Sequence, residues 1–461
     1  MNRAAIRSIL VAGDGIVGRS AALAFARALP GVDVSLLAVA PDPAALAEQI
    51  PATLPMVDRF HAAIGFDELD LVRRDIACHH LGTRVDDQWA HSFGTVGRDE
   101  GQVPFHQLWL GAHLENGALP FDRYCPASVI GAAGKFVHPS GEPTSPLATY
   151  LYGFRLNPRR YRALLVAATD ALTCHNGPIA RIERRGDGGI TAIELADGQS
   201  LAADLFVDCT GPRRLLIGRD AHEFDDWSHW LPAREIMLDW SLDDAPAPLD
   251  RIATSDDGWT LCTTVPGARL VAAVAHSPAP GSVTIRPGRR RASFVANVLA
   301  IGDSAVALNP LLGANLSLAH SAILRAIELL PGRDCNALER GEYNRLNALE
   351  ADRARDLHIL FQHRSDMPSS PDGLARTLGQ WRRRGRLPFF EEDMFTPASW
   401  AQVLIGTGHL PDHQTPAAGA VDRNAAADAM GRLAHELETL AERLPTYGDY
   451  RARMMRAPGQ R

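Results

Sequence analysis

The sequence predicts a two-lobed α/β protein, and three observations lead to this fold class. A glycine-rich turn at residues 13–18 directly follows the apolar run 9–12. A second turn, residues 302–305, follows the apolar run 298–301 late in the chain. The length of 461 residues exceeds what one ordinary hydrophobic core holds. Two strand–turn motifs in a chain of this size favour a nucleotide-binding lobe joined to a second lobe.

Composition narrows the class further. The chain is 46% hydrophobic and 22% charged, which is typical of a globular protein. A net charge of −7 gives no reason to expect nucleic acid or an anionic membrane as partner. Six scattered cysteines without a CxxC pair, and histidines without ligand spacing, predict neither a disulfide framework nor a metal site. No apolar stretch reaches the roughly 20 residues of a membrane span, so we expect a cytoplasmic protein.

The first turn predicts a dinucleotide site. Gly13, Gly15 and Gly18 stand between a strand and a helix at residues 20–29, a layout in which glycines let a helix N-terminus approach a pyrophosphate. The second turn places Gly302 and Asp303 after a strand, where the acid can accept hydrogen bonds from flavin ribityl hydroxyls. The pair of turns therefore predicts FAD as the cofactor.

Two features of the sequence weigh against an FAD site: a missing acid and a misplaced one. The next strand, residues 32–39, lacks the terminal acid that usually holds a ribose hydroxyl, and the first candidate is Asp42, beyond Pro41. Asp14 places a negative charge among the glycines that would face a phosphate.

The middle of the chain continues the α/β pattern. Residues 44–71 are predicted to be helical, with breaks at Pro51 and Pro55. Residues 190–195 and 201–207 predict two strands around a turn. The second ends in Asp208-Cys209-Thr210-Gly211, a third place for backbone to approach a cofactor. The Pro/Gly/Ser-rich stretch 276–288 is predicted to be a connection.

The last third is predicted to be helical. Helices are expected at residues 316–330, 337–363 and 424–444. The last of them carries an apolar stripe that should dock on a core, formed by Met430, Leu433, Leu437, Leu440 and Leu444.

These residues resemble the flavin-dependent tryptophan halogenase family over most of the chain, to about residue 410. The longest matching segments are Asp226-Trp227-Ser228-His229-Trp230-Leu231-Pro232, Glu342-Tyr343-Asn344-Arg345-Leu346 and Phe395-Thr396-Pro397-Ala398-Ser399-Trp400. The resemblance implies reduction of FAD by a separate NAD(P)H-dependent flavin reductase, followed by reaction with dioxygen. It also implies oxidation of halide to hypohalous acid, which reaches a lysine beside an aromatic substrate.

The chain departs from the family at the residues that carry this chemistry. His80 occupies the position of the family's lysine, and Leu312 that of its glutamate. Of the paired tryptophans that separate flavin from substrate, only Trp259 remains, so it is the one predicted substrate contact. Because general acid–base groups commonly contribute about 100- to 10,000-fold each, loss of both should suppress halogenation.

A monooxygenase remains consistent with the sequence. The run from Gly302 and Asp303 to Pro310, Gly313 and Ala314 resembles aromatic hydroxylases, whose corresponding loop cradles the isoalloxazine. We therefore expect an FAD-dependent monooxygenase acting on an aromatic or small hydrophobic substrate. Two alternatives stay open: a non-catalytic accessory partner of an active relative, and a tryptophan halogenase that uses His80. A homodimer is left open.

The resulting expectation is an FAD-binding Rossmann-like domain of the flavoprotein monooxygenase type, a mixed-sheet substrate lobe and a helical C-terminal part. The boundaries expected for them are 1–75, 160–220 and 285–335 for the FAD domain, 76–159 and 221–284 for the substrate lobe, and 336–461 for the helical region.

Overall fold

The structure is a computed structural model that describes residues 4–116, 118–243, 245–255, 258–275, 277–362 and 369–456. Its strands are β1 Ser8–Ala12, β2 Asp33–Leu37, β3 Ala77–His80, β4 Gly82–Val85, β5 Trp89–Ser92, β6 Gly153–Leu156, β7 Thr173–His175, β8 Ile179–Arg184, β9 Ile190–Leu195, β10 Ser200–Leu201, β11 Leu205–Asp208, β12 Phe224–Asp226, β13 Arg234–Ser241, β14 Leu249–Ser255, β15 Gly258–Val265, β16 Ala268–Ala275, β17 Val283–Ile285, β18 Gly288–Arg290, β19 Phe294–Val295, β20 Val298–Ala300 and β21 Val306–Ala307.

Its helices are α1 Ile16–Ala28, α2 Leu46–Gln49, α3 Val57–Ala63, α4 Glu68–Arg73, α5 Phe105–Asn116, α6 Pro126–Ala132, α7 Pro158–Ala168, α8 Ala314–Glu328, α9 Ala337–Gln362, α10 Asp372–Arg384, α11 Pro397–Gly406, α12 Pro416–Gly419, α13 Arg423–Arg443 and α14 Tyr447–Arg456. Within the described ranges, no helix combines the length and apolar character that crossing a membrane requires.

The chain forms two compact units, each built from three separate segments. Unit 1 comprises Met1–Ala77, Leu156–Ile236 and Pro280–Ala351, and unit 2 comprises Cys78–Arg155, Met237–Ala279 and Asp352–Arg461. The three-part division expected from the sequence stays a prediction.

Unit 1 is organised by a six-stranded sheet with the order β19-β20-β11-β1-β2-β7. The five strands from β20 to β7 are parallel, and β19 is an antiparallel edge strand. The central strands are apolar and fully buried, as expected of strands covered on both faces. Their carboxyl ends bring the turns after β1, β11 and β20 to one edge of the sheet, where open α/β sheets bind ligands.

The prediction of a hairpin around residues 197–198 is correct for its first strand only. β9 pairs with the two-residue strand β10, whereas Leu205–Asp208 leaves the hairpin and pairs with β1 as strand β11. The apolar face of the hairpin packs on the main sheet instead, with Ile193 and Leu201 in the same cluster as Leu10 and Phe206. The strand predicted at residues 201–207 therefore contains parts of two strands, β10 and β11, which belong to different sheets.

Unit 2 contains five neighbouring strands of the mixed sheet that the sequence predicted, in the order β16-β15-β14-β4-β5. Strands β14, β15 and β16 are antiparallel, while β4 joins β14 in parallel and β5 closes the edge. Alternate residues of β15 are buried, so one face of this strand is packed. Strands β3 and β6 form a separate two-stranded sheet.

The helical C-terminal part is confirmed, with corrections in detail. Met430 and Leu437 are on the buried side of α13 as predicted, but the other buried positions are Ala434 and Ala441, whereas Leu433 and Leu440 are only partly buried. The predicted connection 276–288 contains β17 and the start of β18. Two residues of these predictions, His276 and His363, lie outside the described residues.

Candidate functional site

The first glycine turn joins β1 to α1 at the carboxyl edge of the unit 1 sheet. Gly13 has a φ of +142°, and a Cβ there would lie 2.7 Å from the carbonyl oxygen of Cys209. A Cβ on Gly18 would overlap the backbone of Gly13. These two glycines are therefore required for α1 to pack closely against β1 and its neighbour β11.

The N-terminus of α1 already holds an anion supplied by the chain itself. The carboxylate of Glu48 accepts hydrogen bonds from the backbone N–H of Ile16 at 2.5 Å and of Val17 at 2.9 Å. A Cβ on Gly15, the residue that precedes the helix, would overlap this carboxylate. The space that the turn leaves for a phosphate is thus filled by a buried glutamate.

Asp303 lies in the turn that follows β20, at the same edge of the sheet. Its two carboxylate oxygens accept hydrogen bonds of 3.2 Å from the N–H groups of Leu46 and Ala47. Burial raises the pKa of Asp303 to about 7; those two N–H groups oppose the rise and the charge of Glu48 adds to it. Asp303 therefore bonds to the start of α2. The oxygens that form these bonds are the ones that the sequence predicted to accept hydrogen bonds from ribityl hydroxyls.

Asp14 and Asp42, the two acids near the predicted cofactor site, have partners of their own. Asp14 is bound by Arg19, with its Nε at 2.7 Å and its Nη2 at 2.6 Å, and by the guanidinium of Arg162. Asp42 accepts the N–H of Ala44 at 2.9 Å and lies 3.5 Å from Nε of Arg213. The charge of Asp14 is thereby compensated, and Asp42 is engaged in its own turn.

The loop before α8 completes this region. Pro310–Leu312 form a single 3-10 turn, and Gly313, with a φ of +65°, starts the 15-residue helix α8 without a side-chain cap. Pro310, Gly313 and Ala314 are buried. Helix α8 packs against α1, α2 and the Gly302–Ser304 turn. All eight residues predicted to bind the cofactor therefore meet in one region of unit 1, around the amino ends of α1 and α8.

His80 lies in unit 2, within a buried polar cluster that joins four strands. Arg155 on β6 donates hydrogen bonds to Asp250 on β14, with Nε at 2.9 Å from Oδ2, and to Thr263 on β15 at 3.2 Å. The same guanidinium reaches His80 on β3, with Nη2 at 2.7 Å from Nε2. The histidine, the arginine and the aspartate are all buried.

This geometry fixes the state of the imidazole. A guanidinium has no acceptor, so Arg155 is the donor, Nε2 of His80 is the acceptor, and the ring proton lies on Nδ1. Burial, and next the charge of Arg155, lower the pKa of His80 to about 3. Burial alone would raise the pKa of Asp250, but the charge of Arg155 and its hydrogen bond outweigh burial and leave the pKa lowered. His80 is therefore neutral, and its basic nitrogen is engaged.

Trp259 is not part of the His80 cluster. It lies on the buried face of β15, the same face as Thr263, but four residues away, which is about 13 Å along a strand. Trp259 is 6% exposed, and its Nε1 has no hydrogen-bond partner among the described residues. The residues predicted at the lysine and tryptophan positions thus occupy different parts of unit 2.

Sequence reasoning missed the residues that decide both sites. Glu48 gave no signal, because an acid within a broken helical stretch is ordinarily a surface residue. Arg155 did give one: it is a cation between Phe154 and Leu156 in a short apolar strand, a position that requires a buried partner.

Most of the chain is similar to one known protein family. The profile of a family described as tryptophan halogenase matches residues 8–265 and 268–423. Tryptophan 7-halogenase KtzQ of Kutzneria sp. (strain 744) is 26% identical, over 97% of this chain and 98% of the relative. Tryptophan 7-halogenase RebH of Lentzea aerocolonigenes is 24% identical, over 96% and 98%.

Solved structures give the same result. BrvH, a flavin-dependent halogenase from Brevundimonas sp. BAL3, superposes with a TM-score of 0.88 and 28% identity, over 97% of this chain and 99% of that one. Xcc4156, a flavin-dependent halogenase from Xanthomonas campestris, gives a TM-score of 0.87 at 24% identity, over 99% and 100%. The predicted Rossmann-like fold of the FAD-binding type is thereby confirmed.

Proposed function

The chain belongs to the tryptophan halogenase family, and from this premise we propose that it is an FAD-dependent monooxygenase acting on an aromatic or small hydrophobic molecule. The observation that carries the proposal is the amino end of α8. This end is buried and starts at Gly313 without a side-chain cap. A buried helix terminus requires partners for its first N–H groups, and an isoalloxazine edge supplies acceptors of that kind.

The residues of unit 1 fit the flavin part of the cofactor. The N–H groups at the start of α8 would face the flavin, and the positive end of the helix favours negative charge there. Pro310 and Gly313 shape the loop, and Asp303 is the acid available to the ribityl chain. FAD, when bound and reduced, supplies the reaction with dioxygen. Because Glu48 already bonds to the start of α1, its carboxylate has to move away for the pyrophosphate to bind there.

The residues at two family positions, His80 in unit 2 and Leu312 in unit 1, disfavour halogenation. His80 stands at the position of the family's lysine, but its acceptor nitrogen receives a hydrogen bond from Arg155, and its pKa of about 3 keeps the ring neutral. It therefore offers neither an amine nor a free base. Leu312, at the position of the glutamate, is buried and apolar. Oxygenation of a substrate would need neither a lysine nor a glutamate at these positions.

The electrons would come from NAD(P)H through a separate flavin reductase, as in the family. Unit 1 contains one parallel sheet with a single glycine turn of the dinucleotide type among the described residues. We accordingly place the protein in the cytoplasm, where NAD(P)H and a reductase are available.

The first experiment is an absorption spectrum of the purified protein, followed by titration with FAD. The protein is then supplied with a flavin reductase, NADH and a panel of indoles and phenols, with and without bromide. Hydroxylated product in both mixtures supports the proposal. Brominated product that depends on His80 would replace it with the halogenase alternative.

A second candidate, a non-catalytic accessory protein, is favoured by one observation: Glu48 occupies the amides that a pyrophosphate needs. Failure of FAD to bind at any concentration, together with co-purification with an active relative, would favour this candidate over the monooxygenase.

A further inference from the structure

The start of α1 is a finished anion site whose occupant is a side chain. The first two N–H groups of the helix bond to Glu48, at 2.5 Å from Ile16 and 2.9 Å from Val17. Such amides, together with the helix dipole, favour negative charge. A pyrophosphate of a dinucleotide uses the same groups, so the two anions exclude each other.

The glutamate is held there by its own segment. Helix α2, Leu46–Gln49, is anchored at its start by the hydrogen bonds from Leu46 and Ala47 to Asp303. Earlier in the segment, Ala45 lies against Gly211 in the turn after β11, since a Cβ on that glycine would be 3.1 Å from the Cβ of Ala45. The segment therefore lies across the carboxyl edge of the sheet, from the turn after β1 to the turn after β20.

The surroundings of Glu48 exert opposing effects on its carboxylate. Burial raises the pKa of Glu48, the two backbone hydrogen bonds and the charge of Arg162 lower it, and Asp14 raises it. Glu48 also raises the pKa of Asp303. The carboxylates of Glu48 and Asp303 thus lie in one buried region. Moving Glu48 out would end the burial of its own charge and its repulsion of Asp303.

We propose that Glu48 is an internal competitor for the cofactor, which occupies the diphosphate position in the ligand-free protein and leaves it when FAD binds. This inference rests on the proposed function, because it assumes a dinucleotide ligand. Arg162, which lies beside the site and is 40% exposed, would then neutralise the incoming diphosphate. Since Glu48 has to be displaced, FAD binds more weakly than the fold allows.

The test compares ligand affinities of Glu48→Gln and Glu48→Ala with those of the wild type. Calorimetry or flavin fluorescence gives Kd for FAD, and the same titrations are made with ADP, inorganic pyrophosphate and riboflavin. We expect both variants to bind FAD, ADP and pyrophosphate at least tenfold more tightly (roughly 1.4 kcal/mol), and riboflavin with unchanged affinity. The matched control is Glu183→Gln, which removes an exposed glutamate of unit 1 paired with Arg181.

The outcomes separate this inference from the proposed function. Equal or weaker FAD binding by both variants, with tight binding by the wild type, overturns the role of Glu48 and leaves the flavoprotein intact. Tighter ADP and pyrophosphate binding by the variants without any FAD binding supports Glu48 as competitor and overturns the flavoprotein. If none of the phosphate ligands binds any variant, both are overturned.

Discussion

Nη2 of Arg155 donates a hydrogen bond of 2.7 Å to Nε2 of His80, the residue that we expect at the position of the family's lysine. This contact decides the chemistry of the site, because an imidazole nitrogen that accepts a hydrogen bond from a guanidinium is not free to act as a base. The histidine expected in place of the lysine is therefore held by Arg155 and cannot act as a base.

Restoring the lysine should not restore halogenation. In His80→Lys the ammonium would lie beside the Arg155 guanidinium, with Asp250 as the nearby carboxylate for both. We expect a lower melting temperature and no halogenated tryptophan in a reductase-coupled assay. The control is His222→Lys at an exposed histidine, which should leave stability unchanged. A stable His80→Lys enzyme that halogenates tryptophan would contradict this account.

The Arg155–Asp250 ion pair should be costly to break from one side. Both side chains are buried, so Arg155→Met leaves an uncompensated carboxylate and should reduce the free energy of unfolding by about 3–5 kcal/mol. The double variant Arg155→Met, Asp250→Leu should lose less than the sum of the single changes, as measured by denaturant unfolding.

An exposed pair supplies the comparison. Arg181→Met removes a partner of Glu183 at the surface of unit 1, where solvent screens ion pairs, and should leave the free energy of unfolding close to that of the wild type. Strict additivity at Arg155 and Asp250 would show that the two buried charges do not depend on each other.

The glycine turn should be intolerant of a methyl group for structural reasons. Gly18→Ala places a Cβ on the backbone of Gly13 and should destabilise the protein by about 1–3 kcal/mol, seen in thermal unfolding without any ligand. Gly31→Ala is the control, since a Cβ there meets nothing within 4 Å. Similar melting temperatures for the two variants would rule out the packing role of Gly18.

The pKa of Asp303 predicts how stability varies with pH. Its folded-state pKa, about 7, lies above the ordinary value of 3.8, so its stabilising effect is complete below about pH 4 and is lost as the pH rises through 7. We expect the melting temperature of the wild type to fall relative to that of Asp303→Asn between about pH 4 and pH 7. The comparison of the two proteins cancels the opposite effect of buried histidines such as His80, whose lowered pKa makes stability rise with pH. The raised pKa of Glu48 acts in the same direction as that of Asp303 and remains in the variant.

The control for this prediction is Asp170→Asn, at an exposed aspartate of unit 1. It should retain the full dependence on pH. A melting temperature of the wild type that does not fall relative to that of Asp303→Asn over this range would show that Asp303 is not a strained buried carboxyl.

The sequence predicted what backbone patterns encode. Apolar runs ending in glycine turns located β1 and β20, and the helices α8, α9 and α13 lie close to the bounds expected from the sequence. It could not predict the partners of the polar groups, because those depend on contacts between distant residues. Glu48 meets Val17 across 31 positions, and Arg155 meets Asp250 across 95. The misassigned strand at residues 201–207 failed for a related reason, since its pairing partner is β1 rather than its neighbour in sequence.

The interleaved segments of the two units have a consequence for biosynthesis. The central sheet of unit 1 begins with β1 at residue 8 and lacks β20 until residue 300 has been made, after the first two segments of unit 2. During that time the edge of β11 has no neighbour, and unpaired edges of this kind promote aggregation. The N-terminal half of the chain is therefore not an independent folding unit, and fragments that end before β20 should be insoluble when expressed alone.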